Sequence, residues 1–379
     1  MGVRDFAFEP FACANPTKLP KVRNDMQDVL RQFPLKGVVL SCEPYGSGHI
    51  NDTYRVETDA GALYILQRIN THVFPNVDGL MHNISAVTAF LSERATDPRE
   101  AMHLVRTVSD APYYKDAQSG CWRVYDFVTG SVCLQKIERA EDFYESAFAF
   151  GNFQQMMAQF PAQTLFETIP NFHNTPDRYA KLQRAIESDR MGRVKEVGEE
   201  IAFALSLAQE VSRLHALRES GALPTRVTHN DTKINNVLMD EATGKALCVI
   251  DLDTVMPGLA AYDFGDSIRF GAATAAEDEE DLSRMRLNVD LFETYTRGFL
   301  AACKNLTTLE QETLPLGALT MTQECGVRFL TDYLEGDVYF KIHRPDHNLI
   351  RCRTQFTLAA DIKRHLPKLG EIVFACARG

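Results

Sequence analysis

The hydrophobic and polar positions of this chain change rhythm once, near residue 128. Before it, apolar residues come in short alternating runs. Residues 38–42, 53–57 and 63–67 predict strands, separated by turns at 44–51 and 58–61 where Gly, Pro, Ser, Asn and Asp collect. Further strands are predicted at 104–108 and 122–128. A short helix is expected at 24–33, ended by Pro34, and a longer one at 76–94, where Leu80, Ile84, Val87 and Leu91 recur at helical spacing and so form a face that packs on the sheet. Beyond Gly130 long amphipathic patterns dominate, at 140–160, 194–218, 288–304, 310–334 and 355–366. Segment 161–178 opens on a Pro and carries Pro170, His173 and Pro176; it reads either as a lid or pocket wall or as a plain connecting loop. The expected architecture is α+β with two lobes, a β-rich lobe over 1–127 and a mainly helical lobe over 128–379.

Bulk properties narrow the class. A chain of 379 residues exceeds what one small core organises, and 45% hydrophobic with 24% charged residues is ordinary globular composition. The net charge of -11 argues against broad nucleic-acid or anionic-membrane partners, because such surfaces are held by excess positive charge. Nine cysteines, scattered singly from Cys13 to Cys376, make neither a zinc pattern nor a paired framework and predict reduced, buried thiols in a cytoplasmic protein. No apolar run approaches the length of a membrane span, and no obligate protein partner is indicated.

Most of the chemistry lies between Thr228 and Asp266. His229, Asp231 and Asn236 form a His-x-Asp-x-x-x-x-Asn array, followed by two short β runs, at 237–239 and 247–250, that end at Asp251. A hairpin leaving from the loop and returning at Asp251 brings these groups to one end of a rigid ribbon. They suit phosphoryl transfer: Asp231 to accept the proton of an attacking hydroxyl, Asn236 and Asp251 as hard oxygen ligands for Mg2+, and Lys233 as a compact positive charge for the γ-phosphate. His229 is expected to brace the loop through backbone hydrogen bonds. Asp253 would share a face with Asp251 if the strand continued. The turn carrying Gly46, Ser47 and Gly48 lets backbone amides approach phosphates, although the third Gly of a Gly-x-Gly-x-x-Gly loop is missing and an ordinary hairpin turn explains the same residues.

The array resembles the catalytic loop of protein kinases and, more closely, that of the aminoglycoside phosphotransferase and choline kinase superfamily. That resemblance implies a bilobal protein-kinase-like fold with a nucleotide-binding N-terminal lobe, its Gly-containing loop at 44–53, and a catalytic C-terminal lobe. Asp263-Phe264-Gly265 spells the kinase metal motif but stands too far downstream; by position the metal aspartate is Asp251, and Asp263 resembles the buried aspartate at a helix start that supports the catalytic loop. Strings from Glu43 to Arg353, among them 43–51, 64–67, 250–258 and 324–337, look like the N-acetylhexosamine 1-kinase family. This implies ATP as co-substrate with Mg2+, and transfer to the anomeric hydroxyl of N-acetylglucosamine or N-acetylgalactosamine. His49, Arg328 and Tyr339 are then implied to hold the sugar beside Asp231, and Tyr125 to Phe127 to form the hinge that receives adenine.

The chain departs from the kinase pattern at Gln67, where many kinases place a strand lysine. The following helix offers His82, Asn83 and Ser85 but no Glu to complete a Lys–Glu pair. A neutral Gln donates a hydrogen bond to phosphate without charge, so Lys233, Arg68 or the metal is expected to offset the loss. The run Glu277 to Asp281 reads as a solvated helix start, with an acidic pocket for a polycation as the alternative. Arg328 and Tyr339 have structural alternatives, a salt bridge and core packing respectively. Other classes fit less well: Gly265-Asp266-Ser267 lacks the second Gly of a hydrolase elbow, and Pro345 spoils the His343/His347 pair as metal ligands. Choline, homoserine or aminoglycoside kinases are the alternatives within the superfamily, and a nucleotide-binding pseudokinase outside catalysis.

Overall fold

A computed structural model of the chain describes residues 24–46 and 50–378. The expectations for Cys13, Ser47, Gly48 and His49 lie outside the described residues. The described residues divide into two compact units, one within 1–70 and 104–127, the other within 71–103 and 128–379. Residues 71–103, assigned from sequence to the N-terminal lobe, cluster with the second unit.

The first unit is built on an antiparallel sheet of β1 (Val39–Pro44), β2 (Asp52–Thr58), β3 (Leu63–Ile69), β4 (Leu104–Val105), β5 (Tyr114–Lys115) and β6 (Cys121–Asp126), in the order β1-β2-β3-β6-β4 with β5 also on β6. The period of two puts Val56, Tyr64, Leu66, Trp122 and Val124 on one face, where they pack against Met26, Val29, Leu30 and Phe33 in and after helix α1 (Asn24–Leu30). Residues one position out of phase, among them Thr53, Gln67, Arg123 and Tyr125, stand on the opposite face. Gly46, in the turn after β1, has φ +81°, a conformation that only Gly adopts without strain.

In the second unit, α2 (Val77–Ser92) precedes a three-stranded sheet of β7 (Ser131–Cys133), β9 (Val237–Asp240) and β10 (Ala246–Val249) and a two-stranded ribbon of β8 (Arg226–Thr228) and β11 (Met256–Gly258). Around them pack α3 (Ala140–Met156), α4 (Thr175–Ser188), α5 (Gly198–Val211), α6 (Arg213–Glu219), α7 (Ala260–Gly271), α8 (Val289–Ala302), α9 (Thr308–Glu335) and α10 (His347–Arg378). The core joins Phe150, Phe264, Phe292, Tyr295 and Phe299 with Ile234, Val237 and Leu358. Among the described residues, no helix is long and apolar enough to cross a membrane.

Several expectations are corrected. The helix expected at 194–218 is a 3-10 turn followed by α5 and α6, and the strand at 104–108 is only Leu104–Val105. Segment 161–178 is not all loop, because α4 begins at Thr175. The acidic run is not a helix start: Glu277 to Glu280 lie in a loop, and Asp281 caps a single 3-10 turn. Three of its carboxylates are engaged, Glu277 by Arg269, Asp278 by Arg344 and His347, and Glu279 by Arg284, while Glu280 and Asp281 are exposed as expected.

Candidate active site

The loop between β8 and β9 holds its shape through buried polar groups. Asp263, in the first turn of α7 and 0% exposed, accepts the backbone N–H groups of His229 (2.9 Å) and Asn230 (2.8 Å) and the side-chain amide of Gln154 (2.7 Å). Burial pushes the Asp263 carboxyl up, against the pull of these donors. Asn230 takes φ +65°, and the turn so formed aims both N–H groups at one carboxylate. Thr232 donates its hydroxyl to the Asp263 carbonyl at 2.6 Å and its N–H to Asp266 at 3.0 Å. Asp263-Phe264-Gly265 is thus a helical support beneath the loop. Gly265 packs where α7 meets the backbone of Gly317 in α9, and a Cβ there would collide with its carbonyl.

His229 is fully buried, edge-on to Phe150. Its Nε2 lies 2.9 Å from the Ile250 carbonyl and its Nδ1 accepts the Asp231 N–H at 3.3 Å, which assigns a neutral ring protonated on Nε2. Both nitrogens serve the backbone. The ring ties Asp231 on one side to the residue preceding Asp251 on the other, and Ile250 N–H donates to the Asn236 carbonyl at 2.9 Å. Thr254 adds a hydroxyl bond to the His229 carbonyl at 2.7 Å.

These contacts place the side chains of Asp231, Lys233 and Asn236. One oxygen of Asp231 pairs with Lys233 at 2.8 Å, and the other accepts from Asn236 Nδ2 at 3.2 Å. Burial would lower the Lys233 pKa, but Asp231 and Asp266 raise it, so the ammonium keeps its charge. The Asn236 amide nitrogen also binds the Asp231 carbonyl at 2.8 Å, which leaves its oxygen as the end suited to a cation. Asp251 is exposed and adopts φ +60° two residues beyond β10. The strand does not continue to Asp253, which lies buried in a 3-10 turn over Leu252–Thr254, so the two carboxylates do not share a strand face. Asn236 and Asp251 are hard oxygen donors of the kind that would hold a divalent cation.

Beyond Lys233 the charges continue inward. Asp266 is paired with Arg269 at 2.9 Å, and Arg269 with Glu277 at 2.8 Å. Burial works against the Asp266 carboxylate, yet Arg269 and Lys233 hold it below its ordinary range. Near this network the Cys325 thiol is pushed up to about 11 by burial, against the pull of Arg269 and Arg328. Arg328 makes no salt bridge among the described residues. Its guanidinium lies 5.2 Å from the ring of Phe340, 5.8 Å from Phe172 and 5.9 Å from Tyr339. Tyr339 is 66% exposed and not core, and its backbone is anchored by Asp332, whose carboxylate accepts the N–H groups of Val338, Tyr339 and Phe340.

Sequence reasoning missed several groups. Glu324, 1% exposed, accepts from Thr175 at 2.8 Å and meets His173 Nδ1 at 3.0 Å. Next to it a cavity of about 40 Å³ is lined by His173, Phe172, Asn230, Met256, Gly258 and Tyr262, so segment 161–178 forms a wall behind the loop between β8 and β9. Asn83, weighed only as a substitute for Glu, is fully buried and clamps that segment, exchanging hydrogen bonds with the Phe166 backbone and donating to the Val255 carbonyl at 3.1 Å. In the first unit Gln67 donates to Thr53 at 3.1 Å and accepts two nitrogens of Arg123, at 3.0 and 2.8 Å, while Tyr45 meets Phe127 edge-on at 5.8 Å. Arg123 was not among the residues weighed around Gln67, although the strand pairing sets it directly opposite.

Comparison with known proteins finds a family and a shared fold. The model of the phosphotransferase enzyme family matches residues 41–298. An aminoglycoside phosphotransferase from Alicyclobacillus acidocaldarius shares the fold at TM-score 0.59 and 15% identity, covering 95% of this chain and 98% of its own. A microcompartment-associated aminopropanol kinase follows at TM-score 0.58 and 15% identity, covering 91% and 98%. An amicoumacin kinase, solved with AMP-PNP, Ca2+ and its ligand, gives TM-score 0.55 at 14% identity over 92% of each chain.

Proposed function

Because this chain belongs to the phosphotransferase enzyme family, we propose that it transfers the γ-phosphoryl group of ATP to the anomeric hydroxyl of an N-acetylhexosamine, N-acetylglucosamine or N-acetylgalactosamine, releasing ADP and the sugar 1-phosphate. The observation that carries the chemistry is the Asp231 carboxylate fixed between Lys233 and Asn236 on a loop whose backbone is clamped by Asp263. Asp231 accepts the proton of the acceptor hydroxyl as its oxygen bonds to the γ-phosphorus and the bond to ADP breaks. Lys233 turns its charge toward the transferring group and orients Asp231 before it arrives. Asn236 and Asp251 hold the divalent cation, Mg2+ in this reading, which when bound offsets charge on the phosphate oxygens. The amicoumacin kinase, solved with AMP-PNP and Ca2+, supports such a pairing of nucleotide and metal.

In the first unit, Gly46, Gln67, Tyr125 and Phe127 are assigned to the nucleotide, together with Ser47 and Gly48. In the second, Arg328 and Tyr339 are assigned to the sugar, with His49 carried over from the resemblance. What supports a neutral acceptor is charge: Arg328 stands among rings, and Glu277, Asp278 and Glu279, which a polycation would seek, already hold arginines. ATP as co-substrate suits a cytoplasmic enzyme.

A coupled ADP-release assay across N-acetylglucosamine, N-acetylgalactosamine, galactose, choline, homoserine and kanamycin tests the reading, followed by locating the phosphate on the product. The N-acetylhexosamines are expected to turn over, with phosphate on the anomeric oxygen. Turnover of an amine-bearing alcohol without turnover of the sugars would reject the acceptor and leave the phosphotransferase.

A further inference from the structure

Two arginines of the second unit come together without an ion pair. Arg178 and Arg328 both meet Phe172: Arg178 Nη2 donates to its carbonyl at 2.7 Å, and the Arg328 guanidinium lies 5.8 Å from its ring. Among the described residues neither arginine pairs with a carboxylate, and Arg178 Nε is buried without a hydrogen-bond partner. The rings of Phe172, Tyr339 and Phe340 offer Arg328 their faces but no counter-charge, so its positive charge stays in place.

Arg178 stands against three forces. It lies in the first turn of α4, at the positive end of the helix dipole, where a carboxylate is favoured and a cation is not. It is half-buried, and it faces a like charge; burial first and then Arg328 pull its pKa below the ordinary value. The acids around it are committed elsewhere. Asp177 pairs with Lys181 at 2.7 Å, and Glu324 is held by Thr175 and His173. One buried carboxylate beside two guanidinium groups leaves the cluster net positive, in a chain whose overall charge is -11. An uncharged residue at 178 would avoid all three penalties.

We propose that Arg178 is a specificity-determining residue: with Arg328 it sets two positive charges against Phe172 at the edge of the acceptor site, so that an amine-bearing acceptor is repelled and a neutral one of similar shape is not. The inference rests on the reading that Arg328 and Tyr339 hold the acceptor, and it names what the second arginine adds. Selection of this kind works through the disfavoured partner, so Arg178 acts on specificity without having to touch the sugar.

The test takes the better N-acetylhexosamine with its counterparts that carry an amine or a hydroxyl at carbon 2, one cationic and two neutral sugars. With the full chain and saturating ATP-Mg2+ at about pH 6.5, where an ordinary amine is protonated, kcat/KM is measured for each. Where a sugar is not turned over, its constant for competitive inhibition of the N-acetylhexosamine takes the place of kcat/KM. Wild type is expected to disfavour the amine against the hydroxyl sugar by about tenfold or more, a gap that loss of the acetyl group alone does not produce. Arg178→Gln, which keeps a donor for the Phe172 carbonyl but removes the charge, is expected to narrow that gap by about threefold or more, through better use of the amine sugar. Arg178→Lys, which keeps the charge, is expected to hold the gap within about twofold of wild type. Equal constants for the amine and hydroxyl sugars in wild type, or a gap indifferent to Arg178→Gln, would overturn the proposal. So would a lysine variant that behaves like the glutamine variant, because the hydrogen bond and not the charge would then be at work. Should Arg178→Gln not fold, the wild-type gap decides alone. Absence of N-acetylhexosamine turnover in wild type defeats the acceptor assignment and this inference with it, whereas turnover without a gap defeats only this inference.

Discussion

Asp231 and Asp251 are both acids on the same stretch of chain, and the proposed reaction gives them different work. Asp231 is fixed on both oxygens by neighbours of its own loop, a lysine and an amide, so its geometry is set before a hydroxyl arrives. Asp251 is exposed two residues beyond β10, at φ +60°. This difference predicts different failures. Asp251→Ala is expected to reduce Mg2+-dependent affinity for a non-hydrolysable ATP analogue by about tenfold or more, while affinity measured in a chelator stays near wild type. Titration with and without the metal checks it, and an equal loss in both conditions would remove Asp251 from the metal site. The positions of these residues were legible because the spacing His-x-Asp-x-x-x-x-Asn is local. Arg123 was not, since its relation to Gln67 exists only through strand register.

At the level of elements, α7 and α9 carry the support. Gly265 lies where α7 touches the backbone of Gly317, so Gly265→Ala forces the two helices apart, with an expected destabilisation of about 1–3 kcal/mol and a lower unfolding midpoint. A midpoint equal to wild type would show that the contact yields freely. Glu324 ties α9 to the start of α4 through Thr175 and His173. Burial opposes its charge, but His173, Arg178 and Thr175 hold its pKa below the ordinary value, so the group contributes stability above about pH 4.3 and loses it as pH falls through the depressed value. Glu324→Gln is therefore expected to be less stable by about 1–3 kcal/mol at pH 7, with the gap to wild type closing below pH 4 in thermal melts. A gap that stays constant down to pH 3 would contradict the assignment.

The elements that sequence patterning missed have physical reasons. Pro170, His173 and Pro176 make 161–178 look like loop, yet Pro176 stands in the first turn of α4, where a missing N–H costs nothing, and Asn174 caps the helix. Helix α10 was expected to stop before Pro367, but Leu369 and Val373 are buried in the core beyond it and carry the helix to Arg378. The strands β7, β8 and β11 are three residues each, too short for a period to show. By contrast the α+β character, a sheet early in the chain and mainly helices later, was legible, because it reflects many side chains at once.

For the whole molecule, the question is whether the chain is a working transferase or a scaffold that only holds a nucleotide. A scaffold has no need of a carboxylate held ready between a lysine and an amide, nor of a buried aspartate holding the loop beneath it. A net charge of -11 does not make this an acidic trap for polycations either, because the acidic loop is already occupied by arginines of its own chain. One measurement decides: ADP release with N-acetylhexosamine and saturating ATP-Mg2+ by wild type and by Asp231→Asn, with ATP affinity determined on both. Loss of the base predicts turnover reduced by about 10²–10⁴-fold with nucleotide affinity within about threefold of wild type. Near-wild-type turnover by Asp231→Asn would contradict the mechanism outright.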